Sequence, residues 1–363
     1  MGQIIDKNSD IEISDFSRLA AEPVVSVLML TYKHAHYLAN AIDSVLAQRT
    51  DFPIELLVAD DASPDGAGEI AKHYQQQRPE IVRIITGPVN IGPRANRHRA
   101  SRHIRGEFLA FCEGDDYWTD PHKLQKQVDW LRAKPQVGAV HTDFDHIIFR
   151  GGKWRRLRNF QNHRYRGECI PAGNIFETLL HGSFVQTCTL CLRTELDRRF
   201  LAGFLEDSFP VGDWPLALYV ASTHEIGYLP QSTAVYRRVG GSMMNSGRAV
   251  SVRMTAAYIP MIERICKRLA VPTSVCADAL KPLYRSQFTL AFLSGDITLF
   301  ERACDWLNVN DPTFLSPWFR RMKIRIVHFS ALRQLFALKY DAKVAIDEWR
   351  LYRTEPPHMR GES

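Results

Sequence analysis

Short apolar runs alternate with amphipathic stretches through the first 150 residues, and this alternation restricts the fold more than any other feature. The runs VVSVLMLTY (24–32) and IELLVAD (54–60) are continuous, as expected of strands buried on both faces. The segment 36–49 between them places its apolar residues on one helical face. Strands joined by helices form right-handed crossovers. We therefore expect an α/β fold with a mostly parallel central sheet flanked by helices.

The chain changes character near residue 248. Strand and helix signals continue more weakly to about residue 245, and helical patterns dominate from about residue 250 onward. The length of 363 residues suits two domains of ordinary size. We predict an N-terminal arm (1–22), a sheet domain (23–247) and a helical C-terminal extension (248–363).

Composition excludes several classes of protein. Hydrophobic residues make up 45% of the chain and charged residues 24%, which is typical of soluble globular proteins. No stretch has the roughly 20 predominantly apolar residues of a spanning helix, and the first twenty residues lack the apolar core of a signal peptide. The seven cysteines are too sparse for a disulfide scaffold. We expect a cytoplasmic protein.

Pairs of aspartates follow two of the predicted strands. Asp60 and Asp61 end the second strand, and Asp115 and Asp116 follow the fourth. Ligands of open α/β sheets bind beyond the carboxyl ends of the strands, so the two pairs should meet at one edge. Oxygen ligands without Cys or His favour Mg²⁺ or Mn²⁺ shared with a phosphate. The alternative is that each pair only stabilises the turn that follows it.

Four segments in order resemble a known family: VSVLMLTYKHAHYLANAIDSVLAQ, LLVADDASPDGAGEIA, NIGPRANR and FLAFCEGDDYWTDPHKLQKQV. They resemble the family 2 glycosyltransferases of GT-A fold over about residues 24–130, and the resemblance continues more weakly to about residue 245. It implies that the sheet domain transfers a sugar from a nucleotide-diphosphate donor, with inversion and with a divalent metal. A UDP- or dTDP-type donor and Mn²⁺ or Mg²⁺ are expected.

The resemblance also implies residues that bind the donor nucleotide. Thr31 and Tyr32, at the end of the first strand, would line the base pocket. Asp61, with Asp60 beside it, would recognise the base. Arg94 would lie near the base and the diphosphate.

The segment EGDD (113–116) takes the place of the family's metal motif. By resemblance, Asp116 would coordinate the metal that bridges the diphosphate, and Asp115 would contact the ribose or the metal. Glu113 stands where the family usually has an aspartate. Which of these acids binds the metal directly is left open.

Two further motifs are expected on the acceptor side and over the diphosphate. VGDWPLAL (211–218) resembles the family's acidic motif, so Asp213 would be the general base that takes the proton of the acceptor hydroxyl. The alternative is that Asp213 only caps a helix. In YRRVGGS (236–242), Arg237 or Arg238 would supply positive charge to the diphosphate in a segment that closes over the donor.

Other functions are weighed by what they require. A sugar-phosphate nucleotidyltransferase needs a glycine-rich loop after the first strand, and TYKHAHY has no glycine. A dehydrogenase of Rossmann type needs GxGxxG after a strand, which is absent. A catalytically degenerate nucleotide-sugar-binding protein remains an alternative, because Gly212 and Glu113 depart from the family pattern.

Basic segments carry the formal charge of +6. The run 94–105 belongs to no recognised nucleic-acid module, so no nucleic-acid partner is expected. It is predicted to be a solvated helix face with one functional arginine. The stretch 318–340 alternates basic and apolar residues, as in helices that lie on an anionic membrane. It could equally pack on the catalytic domain. The acceptor is expected to be a saccharide or a lipid-linked sugar, and the process is expected to be bacterial surface polysaccharide synthesis. If 318–340 binds lipid, the protein would act at the cytoplasmic face of the membrane. The oligomeric state stays open.

Cysteine and histidine signals are expected to be structural. CTLC (188–191) lies in a β-like apolar run without a second ligand pair, which favours buried thiols over a zinc site. His34 and His36 follow the first strand. They could touch substrate, but solvated loop residues are the favoured interpretation.

Overall fold

The computed structural model describes residues 10–150, 153–165, 169–204, 209–238, 247–315 and 330–353. Within these ranges a ten-stranded sheet lies between layers of helices. The strands are β1 Ile11–Ile13, β2 Val25–Thr31, β3 Ile54–Asp60, β4 Val82–Thr86, β5 Phe108–Phe111, β6 Tyr117–Trp118, β7 Val137–Arg150, β8 Lys153–Leu157, β9 Cys191–Arg193 and β10 Glu225–Arg238.

Helices follow most of the strands. They are α1 Ala35–Leu46, α2 Ala67–Gln77, α3 Pro93–Ser101, α4 Lys123–Ala133, α5 Phe160–Arg164, α6 Phe176–Leu180, α7 Thr194–Phe204, α8 Asp213–Ala221, α9 Gly247–Arg268, α10 Thr273–Ser294, α11 Ile297–Asn310 and α12 Ser330–Arg353. This arrangement confirms the α/β fold and the helical C-terminal region.

The first half of the sheet is parallel, as the sequence predicts. Strands β4, β3, β2 and β5 are neighbours in that order and all run the same way. In β2, Val27 and Met29 pack against α1, α2 and α4 on one face, and Leu28 and Leu30 pack against the opposite layer. Both faces are apolar because both are covered, which explains the continuous apolar runs.

The second half of the sheet is mixed, so the expectation of a mostly parallel sheet holds only for the first half. Strand β9 is antiparallel to both β5 and β7, and β6 is antiparallel to β10, although β7 and β10 are parallel to each other. The segments 225–230 and 232–238 belong to one strand with register shifts.

The β-like apolar run around CTLC (188–191) predicts a strand over 184–193, and this prediction is wrong for most of that length. A 3₁₀ turn occupies Thr187–Thr189, and only Cys191–Arg193 is a strand. Side chains bind the carbonyl groups that a sheet ladder would otherwise use: Trp118 Nε1 donates to Cys188 O at 2.9 Å, and Gln127 Nε2 donates to Thr189 O at 2.8 Å. Cys188 and Cys191 are buried free thiols, as predicted.

The predicted N-terminal arm contributes a strand to the sheet. β1 pairs with β4 in antiparallel register. Glu12 of this strand lies 2.7 Å from the buried guanidinium of Arg83, which also binds Glu55 at 3.0 Å. The arm is therefore attached to the sheet edge by backbone bonds and by a charged cluster.

The C-terminal helices pack on the layer that contains α6, α7 and α8. Trp214 of α8 meets Tyr258 of α9 edge to face at 5.3 Å between ring centroids, and Tyr284 and Trp306 stack at 4.1 Å. The domain boundary near residue 248 stays a prediction. Of the stretch 318–340, residues 318–329 lie outside the described residues and the remainder is in α12, so its two interpretations are untested. No helix in the described ranges is both long and apolar enough to cross a bilayer.

Candidate active site

The carboxyl ends of β2, β3 and β5 bring the predicted motifs to one edge of the sheet. Backbone bonds join the loops there: Asp61 N donates to Thr31 O at 3.1 Å, and Gly114 N donates to Leu30 O at 2.9 Å. Two loops with acidic residues are thereby attached to the end of β2. This is the edge at which open α/β sheets bind their ligands.

The two aspartates at the end of β3 have different environments. Asp61 accepts hydrogen bonds from Ile91 N at 3.0 Å and Gly92 N at 2.8 Å, so its carboxylate holds the loop before α3. Asp60 is buried, and its Oδ1 has no hydrogen-bond partner in the protein. Burial raises the pKa of the Asp60 carboxyl group. Asp60 therefore retains an acceptor atom for a ligand, whereas Asp61 is already satisfied.

Thr31 and Tyr32 lie at the same edge. Thr31 Oγ1 is buried and has no hydrogen-bond partner. The side chain of Tyr32 is 38% exposed, and the ammonium of Lys33 lies 5.2 Å from its ring centroid. An unpartnered hydroxyl beside an exposed ring is consistent with a pocket for a planar base, where the ring can stack and the hydroxyl can pair.

Helix α3 carries one solvent-exposed arginine, Arg94, and one buried arginine, Arg99. Arg94 is exposed at the start of the helix. Arg99 is buried, with Nη2 2.7 Å from Asn96 Oδ1, 3.2 Å from Asp60 O and 3.5 Å from Asp61 Oδ1. Sequence reasoning missed Arg99 by treating the run 94–105 as a solvated helix face. Five residues along a helix turn a side chain through about 140°, which places Arg99 on a different face from Arg94.

The EGDD loop presents one aspartate and buries the other. Asp115 has a side chain that is 17% exposed, and its Oδ2 lies 3.8 Å from His34 Nε2. Asp116 is buried, and its Oδ1 accepts the backbone N–H of Arg237 at 2.8 Å. The guanidinium of Arg237 donates to Asp115 O at 2.9 Å and lies 4.2 Å from the Tyr117 ring centroid.

Only one of the two predicted arginines lies at the loop. Successive residues of a strand point to opposite faces. Arg238 lies on the other side of β10 from Arg237, near His146, where burial and this arginine lower the pKa of the imidazole to about 4. Residues 239–242 of the predicted closing segment lie outside the described residues.

The expectation that His34 is a solvated loop residue is wrong. Its side chain is 23% exposed, and its Nδ1 is buried without a hydrogen-bond partner. The cause is the close approach of the EGDD loop, whose Gly114 lies against Thr31 and His34. His36 is exposed, as expected. The sequence could not indicate the contact between His34 and Gly114, because the two residues are 80 positions apart.

Gly114→Ala tests whether this close packing shapes the site. An ideal Cβ on Gly114 would lie 2.8 Å from Thr31 Oγ1 and 3.0 Å from His34 Nδ1, so one of them must move. We expect a loss of about 1–3 kcal/mol in the free energy of unfolding, and weaker binding of the nucleotide-sugar donor that the sequence resemblance implies. Denaturant unfolding and donor titration measure the two effects. Gly203→Ala in α7 is the control, since a Cβ there meets nothing within 4 Å; equal losses in both variants would contradict the expectation.

Glu113 and Asp213 belong to a second part of the site, where both line one cavity. Burial raises the pKa of Glu113 to about 8, and the negative charges of Asp115 and Asp213 add to the effect. Its Oε2 is buried without a partner. Glu113 therefore lies toward Asp213 rather than toward Asp60.

Asp213 is the first residue of α8. Its Oδ1 accepts the N–H of Trp214 at 2.8 Å, and its Oδ2 accepts the Thr187 hydroxyl at 3.3 Å. Burial raises the pKa of the carboxyl group. The N-cap of α8 is Gly212, and no side chain caps this helix, so Asp213 is not the helix cap that the alternative interpretation proposed. One of its oxygens binds the neighbouring Trp214 N–H, and the other is held by a single hydroxyl.

The acidic loop fits a cation that it shares with a ligand. Burial raises the pKa of Asp116 well above its usual range, and the charges of Asp115 and Glu113 raise it further. Within the described residues, no group of three or more His, Cys, Asp or Glu side chains is placed to hold a metal ion by itself. Carboxylates that disfavour each other's charge, without a complete ligand set, suit a hard cation whose other ligands come from phosphate and water.

A cavity of about 260 Å³ opens beside the two acids. It lies between α3, α7 and the start of α8, and Glu113, Thr187 and Asp213 line one end. Arg97, which sequence analysis did not single out, forms an ion pair with Asp197 of α7 and lies 4.9 Å from the Phe111 ring centroid. The acids are therefore accessible from a cavity as well as from the strand edge.

Comparison with known proteins agrees with this architecture. A mannosyltransferase from Pyrobaculum calidifontis, solved in complex with GDP-Man and Mn²⁺, superposes with a TM-score of 0.51 over 93% of this chain and 89% of that chain, at 16% identity. This likeness shows that the chain has a GT-A fold. The sequence profile described as Glycosyl transferase family 2 matches residues 26–198. The chain belongs to glycosyltransferase family 2.

Relatives by sequence include both uncharacterised and named proteins. An uncharacterised protein of Mycobacterium tuberculosis is 34% identical over 372 residues, which is 93% of this chain and 98% of the relative. The UDP-Glc:alpha-D-GlcNAc-diphosphoundecaprenol beta-1,3-glucosyltransferase WfgD of Escherichia coli is 26% identical over 188 residues, 52% of this chain and 64% of that protein.

Proposed function

We propose that this glycosyltransferase is metal-dependent and inverting, and that it moves a sugar from a UDP- or dTDP-type donor to a saccharide or lipid-linked acceptor. The observation that carries the proposal is the placement of Asp213 and the EGDD loop around one site, with unpartnered acceptor atoms on Asp60 and Glu113. Such an arrangement provides a place for the donor, for its diphosphate and for a base.

The donor nucleotide is assigned to the edge formed by β2 and β3. Asp60 Oδ1 accepts an N–H of the base, and Thr31 and Tyr32 line the base pocket. Asp61 acts through the loop that it holds rather than by direct contact, because both its oxygens accept backbone N–H groups. Arg94 supplies positive charge toward the diphosphate.

Asp115 and Asp116 would hold the divalent metal. Asp115 is the better direct ligand because it is partly exposed, whereas Asp116 already accepts a backbone hydrogen bond. The metal, when bound, neutralises the charge that develops on the leaving diphosphate. Arg237 supports this role by holding the loop through Asp115 O and Asp116.

Inversion places the acceptor hydroxyl opposite the leaving diphosphate. The oxygen of the acceptor attacks the anomeric carbon, the bond to the diphosphate breaks, and the hydroxyl proton passes to Asp213. Oδ2 of Asp213 is the suited oxygen, because its only protein partner within the described residues is the Thr187 hydroxyl at 3.3 Å. The raised pKa of Asp213 brings the carboxylate closer to the strength that a base needs.

The acceptor and the site of action are proposed from the relatives. The name of the Escherichia coli relative gives a diphosphoundecaprenol-linked sugar as its acceptor. We extend this to a role in bacterial surface polysaccharide synthesis, in the cytoplasm or at the cytoplasmic face of the membrane. Membrane contact through 318–340 remains one of two interpretations of that stretch.

A thermal-shift screen of nucleotide-diphosphate sugars tests the proposal, with Mn²⁺, Mg²⁺ or EDTA present. A donor at one hundred times its Kd adds about 2.7 kcal/mol of stability, so the correct donor should raise the melting temperature by several degrees only with a metal. Failure of every UDP-, dTDP- and GDP-sugar to shift the melting temperature would contradict the proposal. Release of nucleoside diphosphate on adding an acceptor separates a transferase from a binding protein, and release of pyrophosphate would instead indicate a nucleotidyltransferase.

The rate of transfer should depend on pH through Asp213. Burial raises the pKa of this carboxyl group above its ordinary 3.8, and the base must be deprotonated to act. Activity is therefore present above the raised pKa and is lost as pH falls through it. We expect the acidic limb of kcat, measured at saturating donor, to lie above pH 3.8. Circular dichroism at each pH controls for unfolding, and a rate that stays constant down to that pH would contradict the assignment.

A further inference from the structure

The cavity beside Asp213 has apolar walls. Away from the acids it is lined by aromatic and aliphatic side chains of β5, α7, α8 and the loops before β9 and α8, among them Phe111, Leu190, Leu201, Phe209 and Leu216. Neighbouring aromatic rings form its support, since Phe204 lies 5.2 Å from Phe200 and 5.9 Å from Phe209 between ring centroids. A cavity of this kind is suited to carbon rather than to water.

Such walls do not suit a sugar ring. A sugar carries hydroxyl groups around its whole edge, and each buried hydroxyl without a partner costs about 1–3 kcal/mol. The polar atoms that line the cavity are concentrated at one end, on Glu113, Thr187 and Asp213, and at the rim. The reacting hydroxyl can lie at that end, but the deeper part of the cavity favours an apolar group.

The rim of the cavity is cationic. Arg94, Arg97 and His98 line it from α3. Burial lowers the pKa of His98, and the positive charges of Arg94, Arg97 and Arg102 lower it further, which indicates a positive potential at this rim. Arg97 pairs with Asp197, and its charge also acts to lower the pKa of Glu113 and of Asp213 at the acidic end of the cavity. A positive rim above an apolar interior is complementary to an anion that carries a hydrocarbon group.

We propose that this cavity binds the non-reacting part of the acceptor, and that this part is an apolar hydrocarbon group joined to a phosphate. The hydrocarbon enters between α3 and α7, the phosphate meets the basic rim, and the acceptor hydroxyl lies at the end formed by Asp213. The proposal rests on the assignment of Asp213 as the base of a glycosyltransferase. It names the acceptor class that the site favours, an alkyl-phosphate-bearing molecule rather than a free saccharide.

Alkyl phosphates of increasing length test the cavity directly. Inorganic phosphate and butyl, hexyl and octyl phosphate, each below its micelle-forming concentration, are titrated calorimetrically into the full chain without donor. Each buried methylene should increase affinity by about fourfold, until the cavity is filled and affinity reaches a plateau. Octyl glucoside, which has the chain without the anion, should bind at least tenfold more weakly than octyl phosphate. Affinity that does not depend on chain length would overturn the proposal.

Two matched substitutions locate the binding. Leu201 and Leu269 are both half-buried leucines packed on the same core, and only Leu201 lines the cavity. Leu201→Gln should weaken the binding of octyl phosphate at least fivefold and leave the affinity for inorganic phosphate unchanged. Leu269→Gln should change neither affinity. Equal effects of the two variants, at comparable melting temperatures, would overturn the assignment to this cavity.

The outcome is distinguishable from that of the donor screen. Octyl phosphate should bind together with a nucleotide-sugar donor; displacement of one by the other would overturn the acceptor assignment, because both would then occupy one site. If donors bind and alkyl phosphates do not, the cavity proposal fails and glycosyl transfer stands. If alkyl phosphates bind and no donor does, the donor assignment fails instead.

Discussion

Asp213→Asn is expected to reduce the rate of sugar transfer by about 10²–10⁴-fold, the range typical of a lost general base. An amide cannot take the proton of the acceptor hydroxyl, so the oxygen must attack while still protonated. The shape of the site should survive, because an amide oxygen can still accept the Trp214 N–H that Asp213 binds at 2.8 Å. Donor affinity and the melting temperature are therefore expected to stay close to those of the parent protein.

The chain offers a matched control at another helix terminus. Asp296 precedes α11 and accepts Leu299 N at 3.0 Å, which is a capping role without any acid of the site nearby. Asp296→Asn should match Asp213→Asn in stability and keep full activity. If Asp213→Asn turns over at the parental rate, Asp213 only binds the Trp214 N–H at the start of α8, and another group must be the base. Rates are measured as nucleoside diphosphate released per enzyme with a saturating donor.

Asp115→Asn is expected to raise the activation free energy of sugar transfer by several kcal/mol. The rate of transfer should therefore fall about 10²–10³-fold. The change removes the partly exposed carboxylate of the acidic loop, and with it the charge that would attract a cation to the diphosphate. The loop itself should persist, because Arg237 binds the backbone oxygen of Asp115 and the side chain of Asp116. Donor binding should then lose its dependence on Mn²⁺ or Mg²⁺, which a titration with and without EDTA measures.

Asp120→Asn is the control for Asp115→Asn. Its side chain is 16% exposed against 17% for Asp115, and it pairs with Lys126 beyond the acidic loop. We expect this variant to keep both activity and metal dependence. If the metal requirement survives in Asp115→Asn but disappears in Asp116→Asn, the direct metal ligand is Asp116 rather than Asp115. Activity unaffected by chelation in the parent protein would end the metal assignment altogether.

The sequence allowed the first half of the fold and the position of the site to be predicted, since both depend on local signals. Continuous apolar runs indicate strands buried on both faces, and β2, β3, β4 and β5 are such strands. Their carboxyl ends carry the acidic motifs, and parallel strands bring those ends to one edge. The mixed half of the sheet was harder, because the turn at Thr187–Thr189 exists through contacts from Trp118 and Gln127, far away in sequence.

The sequence by itself determined the family, the α/β class and the acidic residue types that gather at the sheet edge, because motif spacing and apolar periodicity are local properties. Only the tertiary structure decided which of two adjacent residues remains available to a ligand. Asp60 keeps an unpartnered oxygen while Asp61 holds a loop, and Arg237 meets the acidic loop while Arg238 lies on the other face of its strand. Adjacent residues share a motif but have different neighbours, and those neighbours come from distant segments that only folding brings together.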